Sequence, residues 1–145
     1  MPSQITADRI ALQDVMLNYA AGVDDRDYDQ YQSCFTDDLE VLGFGSETFN
    51  SKAQWLQYVW SALESYSSTQ HMLGPQLTRI EGDIAYTRND LQALHYFKEG
   101  ENERFTLWAT YVTDMRRIGH GWRIFRHRLV VRGSELIPRS AEQRG

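Results

Sequence analysis

The hydrophobic period of this chain changes once, near His71, and that change restricts the fold more than any other feature. From His71 onward, apolar and polar residues alternate in four segments, about His71–Ile80, Ile84–Lys98, Arg104–Arg117 and Trp122–Val131. Short glycine-containing links join them: Glu81-Gly82-Asp83, Glu99-Gly100-Glu101-Asn102 and Gly119-His120-Gly121. Period-2 alternation marks strands with one buried face, and short Gly turns pair successive strands antiparallel. The expectation is a meander of four long strands. Beyond it, Ser134–Gly145 is polar, contains Pro138 and is expected to fray in part. The expected organisation is one domain over residues 1–133 and a polar tail over 134–145.

Before His71 the period is helical. Leu12, Val15, Met16, Tyr19, Ala20 and Val23 form one apolar stripe, which predicts a helix over about Ala7–Ala21, capped by Thr6 or Ser3 and stopped by Gly22. Asp24 then falls just past the helix end. Tyr28, Tyr31 and Phe35 share a face of a second, short helix over Asp27–Phe35, and Thr36-Asp37-Asp38 reads as a turn. Leu39–Phe44 reads as a strand, with residues up to Phe49 returning as a short partner. Ser51 caps a third helix over Lys52–Tyr66, whose inward face carries Trp55, Val59, Ala62 and Tyr66. Helices first and strands after give an α+β architecture: one curved sheet with helices on one side. A sheet closed in this way forms a cone with an internal pocket, a common type of ligand site.

A length of 145 residues suits one domain, and 41% hydrophobic residues with 24% charged residues is ordinary for a soluble one. The net charge of −5 argues against nucleic acid as a partner. The basic stretch Arg116–Arg132 alternates with apolar residues and reads as a solvated strand face. No run approaches the ~20 apolar residues of a membrane span, so no membrane partner is expected. Cys34, the single cysteine, excludes an intrachain disulfide and lies in an apolar pattern as core filler. Cytoplasmic localisation is the corresponding expectation.

Asp24, His71 and His95 are the residues through which such a fold could do chemistry. A carboxylate that fixes the tautomer of an imidazole makes it a general base. Taken singly, each reads as structural. Burying all three together costs several kcal/mol unless they pair, and catalysis explains why a core would hold them. His120 sits in a turn and is expected in solvent. His127, on a face shared with Arg123, Phe125, Leu129 and Val131, is expected to be mainly structural. Two histidines and one aspartate also suit a facial iron site, but no HxH, HExxH or CxxC spacing supports a metal. No Gly-rich phosphate loop and no GxSxG elbow is present.

Four segments carry a resemblance to a known family: Tyr19-Ala20-Ala21-Gly22-Val23-Asp24-Asp25-Arg26-Asp27-Tyr28-Asp29, Thr69-Gln70-His71-Met72-Leu73-Gly74, Leu94-His95-Tyr96 and Gly121-Trp122-Arg123-Ile124-Phe125. The chain resembles the SnoaL-like branch of the NTF2-like superfamily over about Ile10–Val131, and within it scytalone dehydratase and hexachlorocyclohexane dehydrochlorinase. The resemblance implies the NTF2-like (cystatin-like) cone, with a curved antiparallel or mixed sheet and three helices enclosing an apolar pocket. It implies that Asp24 orients a catalytic histidine, that His71 is that base, and that His95 is a second histidine contacting the same aspartate. The chain departs from the dehydratase pattern at Val23 and about Gly43, where tyrosines would hold a water, and near Ala109 or Thr110, where an asparagine would stand. It departs from the dehydrochlorinase pattern at His127, where an arginine would stand, although Arg126 and Arg128 flank it.

The expected activity is that of a small acid–base lyase or isomerase without an organic cofactor. It would dehydrate, or take a proton from, a cyclic or aromatic substrate of polyketide, terpenoid or steroid type. Pocket-wall candidates are Tyr19, Trp55, Tyr58, Phe97, Trp108, Phe125 and His127. The alternative is a non-catalytic binding or structural module, like the small subunit of ring-hydroxylating dioxygenases. A homo-oligomer, dimer or trimer, is expected in either case.

Overall fold

Ser3 opens the first helix. In the computed structural model, which describes residues 3–142, its hydroxyl accepts the Thr6 amide, and α1 runs over Gln4–Asp24. Met1, Pro2 and the last three residues of the expected tail lie outside the described residues. Asp8, Leu12, Met16, Tyr19, Ala20 and Val23 form the buried stripe of α1. The helix passes through Gly22 rather than stopping there. A Cβ at Gly22 would lie 2.8 Å from the Tyr31 amide nitrogen, so this glycine permits close approach of the next helix. The stop comes four residues later. Arg26, at φ 56°, takes the left-handed position, with its amide on Val23 O and the Asp27 amide on Gly22 O. These two bonds make a Schellman cap with arginine where glycine is usual.

Asp27 caps α2 (Tyr28–Gln32), accepting the Gln30 amide. β1 (Phe35–Leu42) begins at once, so the turn expected at Thr36–Asp38 is extended backbone, with the ladder irregular between Phe35 and Glu40. Phe49 returns to Val41 in a single antiparallel bridge. Ser51 caps α3 over Lys52–Leu63, and Tyr66 starts β2 (Tyr66–Leu73) instead of ending the helix. The segment expected as one strand is two, β2 and β3 (Leu77–Glu81), interrupted by Gly74-Pro75-Gln76. Proline removes a ladder donor there. Both pair antiparallel with β4 (Ile84–Phe97).

β4 pairs with β5 (Asn102–Ile118), β5 with β6 (Gly121–Pro138), and β1 adds parallel to β6. The strand order is β1-β6-β5-β4-β2, a six-stranded mixed sheet among the described residues. It is curved and unclosed. β6 outruns the expectation: Ser134 to Pro138, assigned to the tail from composition, pair with Leu107 to Asn102. Leu12 and Met16 of α1, Tyr31 of α2 and Trp55 and Leu56 of α3 pack with Ala85, Tyr111, Met115 and Ile124 of the sheet as one core. Each fully buried large side chain contributes roughly 1.5–3 kcal/mol. Cys34 is buried within it, as expected. Arg126, Arg128 and Arg132 pair with Glu40, Asp114 and Thr110.

Candidate active site

Two register facts place the polar groups. Thr69 pairs with His95 and His71 pairs with Ala93 across the β2–β4 ladder. Directly paired residues share a face, and residues two apart on one strand do too. Thr69, His71 and His95 therefore lie on one face of the sheet, beneath the C-terminal end of α1, where Asp24 is the last helical residue.

Asp24 and His71 meet. Asp24 Oδ1 lies 2.8 Å from His71 Nδ1, and Oδ2 accepts the His71 backbone amide at 2.7 Å. The Thr69 hydroxyl donates to Oδ1 at 3.0 Å. Arg26 Nη1 donates in turn to Thr69 Oγ1 at 2.9 Å and to Val23 O at 2.6 Å. Burial pushes the Asp24 carboxyl up, but the three hydrogen bonds and the His71 charge outweigh it, and its pKa lies below the ordinary value. The carboxylate is thus ionised and can only accept, so Nδ1 of His71 carries a proton, and in the neutral ring Nε2 is the nitrogen with the lone pair. The side chains are 17% and 11% exposed.

His95 comes beside His71, with ring centroids 5.8 Å apart at 79°, but it does not bond Asp24 as the resemblance implied. Its Nδ1 lies 3.1 Å from Phe105 O. A carbonyl only accepts, so Nδ1 is protonated and Nε2 is again an acceptor. Burial lowers the His95 pKa, opposed by the Phe105 bond and reinforced by the His71 charge. Neutral His95 can therefore receive a proton at Nε2 and has none there to give.

His71 and His95 open onto a cavity of about 220 Å³, walled by α1, α2, α3 and strands β2, β4 and β5. Tyr19, Trp55 and Tyr58 line it. Four other expected wall residues do not. Trp108 alternates with Leu107 and Ala109 and sits on the outer face, 36% exposed, while Leu107 and Phe105 face in. Phe125 is the extra residue of a bulge, since Met115 pairs with Ile124 but Asp114 with Arg126. The bulge reverses facing: Ile124 and His127 are buried, and Phe125 lies under the Arg116 guanidinium. Phe97 packs on Tyr66 beyond the cavity lining. His127 lies behind the wall, with Nε2 3.0 Å from the Tyr19 hydroxyl and Nδ1 2.9 Å from Thr113 Oγ1. Complete burial, helped by the Arg128 charge, pushes its pKa down to about 3.

Sequence reasoning missed Thr69 and Arg26, which hold Asp24. It also missed Tyr31, Phe44 and Tyr111, which line the cavity. The period-2 signal could have found Thr69, two residues before His71. Nothing in the pattern singles out Arg26. Among the described residues, no group of three or more His, Cys, Asp or Glu side chains is arranged to hold a metal ion, and no helix is long and apolar enough to cross a membrane.

Comparison with known proteins agrees with this architecture. The uncharacterized protein Rv2910c of Mycobacterium tuberculosis is 28% identical over 124 residues, covering 83% of this chain and 82% of its own length. A candidate scytalone dehydratase from Novosphingobium aromaticivorans superposes with a TM-score of 0.84 at 14% identity, over 90% of this chain and 88% of that one. A type 2 hexachlorocyclohexane dehydrochlorinase (LinA) superposes with a TM-score of 0.82 at 22% identity, over 94% and 92%. At those identities the likeness establishes the NTF2-like cone. The family model of the SnoaL-like domain matches residues 4–128, and the chain belongs to that family.

Proposed function

We propose that the protein is a small-molecule lyase or isomerase in which His71 is the general base. The observation that carries this is the 2.8 Å Asp24–His71 pair at the wall of an apolar cavity. Asp24 holds Nδ1–H, Nε2 takes a proton from a carbon of the substrate, and the carboxylate stabilises the resulting imidazolium. General base help of this kind is worth about 10²–10⁴-fold. The electron pair of the C–H bond moves toward an adjacent electron-withdrawing centre. It then expels a leaving group, giving dehydration or another elimination, or is reprotonated elsewhere, giving isomerisation. His95 Nε2, the second acceptor, receives a hydrogen bond or proton from a substrate hydroxyl.

The relatives named a scytalone dehydratase and a hexachlorocyclohexane dehydrochlorinase support an elimination on a ring. The cavity supports a cyclic or aromatic substrate and sets its size. An apolar cavity of ~150 Å³ takes one benzene ring, so about 220 Å³ suits a substituted single ring or a small bicycle, and not the four fused rings of a steroid.

The test is exchange of the α-protons of 2-tetralone in D₂O, followed by proton NMR. Wild-type protein accelerates exchange and His71→Ala does not. Equal exchange by a folded His71→Ala variant refutes the assignment of the base.

A further inference from the structure

Helix α3 serves two spaces. Trp55, Val59 and Leu63 line the cavity onto which His71 and His95 open. Gln54, Gln57 and Ser61, spaced three and four residues apart, share another face and line an outer groove of about 670 Å³. Tyr58 and Ala62, four residues apart, lie on the seam between these faces and line both spaces. Across the groove stands the segment Glu47-Thr48-Phe49, tied to the sheet by the bridge from Phe49 to Val41. Cavity and groove therefore meet at the Tyr58 and Ala62 side chains.

An aromatic wall runs through that seam. The Phe49 ring lies 4.7 Å from the Tyr58 ring, and Tyr58 stacks on Trp55 at 5.6 Å and 28°. Phe49 belongs to the groove, Trp55 to the cavity and Tyr58 to both. Along the wall the chemistry changes. The cavity surrounds its two imidazoles with rings and aliphatic side chains, whereas the groove offers the amides of Gln54 and Gln57 and the hydroxyls of Thr48 and Ser61. The side chains of Gln57, Thr48 and Ser61 make no hydrogen bond among the described residues, and Gln54 uses only Oε1, on the Asn50 amide. Amides and hydroxyls both donate and accept, which suits a ligand whose own groups do both. A hydroxylated ring is such a ligand, and its C–H groups pack on the negative face of an exposed aromatic ring such as Tyr58. Glu47 is the one charged side chain among the described residues lining the groove. An anionic substituent would meet a like charge there and no counter-charge.

We propose that the groove is an outer compartment of the same site and takes an uncharged, hydroxyl-rich substituent of the sugar class, carried by a ring that sits in the inner cavity. The inference rests on the reading of the cavity as the place of a one- or two-ring substrate, and it does not require His71 to be the base. Hydrogen bonds and stacking in the groove are remote from the reacting C–H. They discriminate between substrates that fill the inner cavity equally well.

The test compares 2-naphthol with its β-D-glucoside and its β-D-glucuronide, which share one bicycle and differ only outside it. Titration calorimetry reads the affinities, and saturation-transfer NMR reads which ligand protons touch the protein. Wild type should bind the glucoside about tenfold more tightly than naphthol, the net worth of one or two hydrogen bonds. It should bind the glucuronide more weakly than the glucoside, and the sugar protons of the glucoside should receive saturation. Ser61→Trp, which fills the groove, should abolish the preference for the glucoside, and Gln57→Ala should reduce it. Both residues are exposed on α3, so neither change enters the core. Equal binding of glucoside and naphthol by wild type, binding of neither, a full preference in either variant, or a glucuronide held as tightly as the glucoside overturns the inference. Tetralone exchange without a glucoside preference refutes the outer compartment alone. A glucoside preference with exchange undiminished in His71→Ala refutes the base alone.

Discussion

Acid should unfold this protein through His127, and the amount follows from its surroundings. The ring is wholly buried, touches Tyr19, Tyr111, Phe44 and Trp55, and makes two hydrogen bonds that a neutral imidazole satisfies. Its folded pKa is about 3, against ~6.5 in an unfolded chain. Between those values the unfolded state binds the extra proton, so the contribution to stability is fully present above about pH 6.5 and falls as pH drops below it. From pH 7.5 to pH 4.5 the loss is about 3 kcal/mol. That figure depends little on the folded value, because the native ring is still neutral at pH 4.5. At a urea slope near 2 kcal/mol/M, the unfolding midpoint should fall by roughly 1.5 M. Burial also lowers the His95 pKa and adds a loss of the same sign, so the decisive quantity is a difference. Urea titrations of wild type and His127→Gln, followed by circular dichroism at both pH values, should show the variant losing about 3 kcal/mol less. Equal losses would mean that His127 titrates normally in the folded protein, and the buried neutral ring would be wrong. Ring ¹⁵N shifts of the wild type at pH 5 give the same answer if the variant does not fold.

Three more perturbations test the site and its support. Asp24→Asn replaces an oxygen of a carboxylate that accepts three hydrogen bonds with an N–H₂ donor; His71 should move to the Nε2–H tautomer, seen in its ¹⁵N shifts, and tetralone exchange should fall by about 10²–10⁴-fold. Because Asp24 is held below its ordinary pKa, its contribution to stability is present above pH ~4 and is lost as pH falls through the lower folded value. The variant should lack that acid-dependent loss in urea titrations. Arg26→Gly relieves a left-handed backbone worth about 1 kcal/mol but removes the donor to Thr69, so the melting temperature should hold or rise while exchange falls. Full exchange in that variant would make Arg26 a cap and nothing more. Gly22→Ala drives a methyl into the Tyr31 backbone and should cost about 1–3 kcal/mol. A melting temperature within 1 °C of wild type, read calorimetrically, would contradict the packing of α1 on α2.

The fold was legible where a side chain's burial repeats regularly. The α1 stripe, the Ser51 cap and the long strands β4 and β5 all follow from period and turn chemistry. What escaped is local geometry that a binary pattern does not encode. Gly22 looks like a stop in sequence, yet it lies inside α1 because a neighbouring backbone needs the space. A bulge at Phe125 reversed the facing of β6, so counting by twos put Phe125 in the pocket and left His127 among the wrong neighbours. The exposed alternation of Ser134–Pro138 looks like a tail because that stretch of β6 buries little. At the site, Asp24 and His71 were identifiable by residue type and place, and they meet. The His95–Asp24 contact was not, because the Phe105 carbonyl takes Nδ1 instead. Arg26 and Thr69 act through hydrogen bonds to Asp24, which leave no periodic trace.

The imidazoles of His71 and His127 use one physical device in opposite ways. Each ring is paired with oxygen. At the β2 end the partner is an ionised carboxylate, itself holding three donors, so His71 presents a lone pair and gains support when it becomes charged. Behind the wall the partners are two neutral hydroxyls and the ring is held far from protonation, so His127 stays neutral between them. A base needs a partner that rewards positive charge, and a buried structural ring needs partners that a neutral imidazole satisfies. The charge on Asp24 and the neutral hydroxyls of Tyr19 and Thr113 meet those two requirements separately. Exchanging the partners would spoil both arrangements. A carboxylate at Thr113 would raise the His127 pKa and let the ring hold a second proton, and a hydroxyl at Asp24 would leave the His71 imidazolium without a counter-charge. The asymmetry between the two histidine environments sets one ring against a carboxylate at the cavity wall and holds the other neutral behind it.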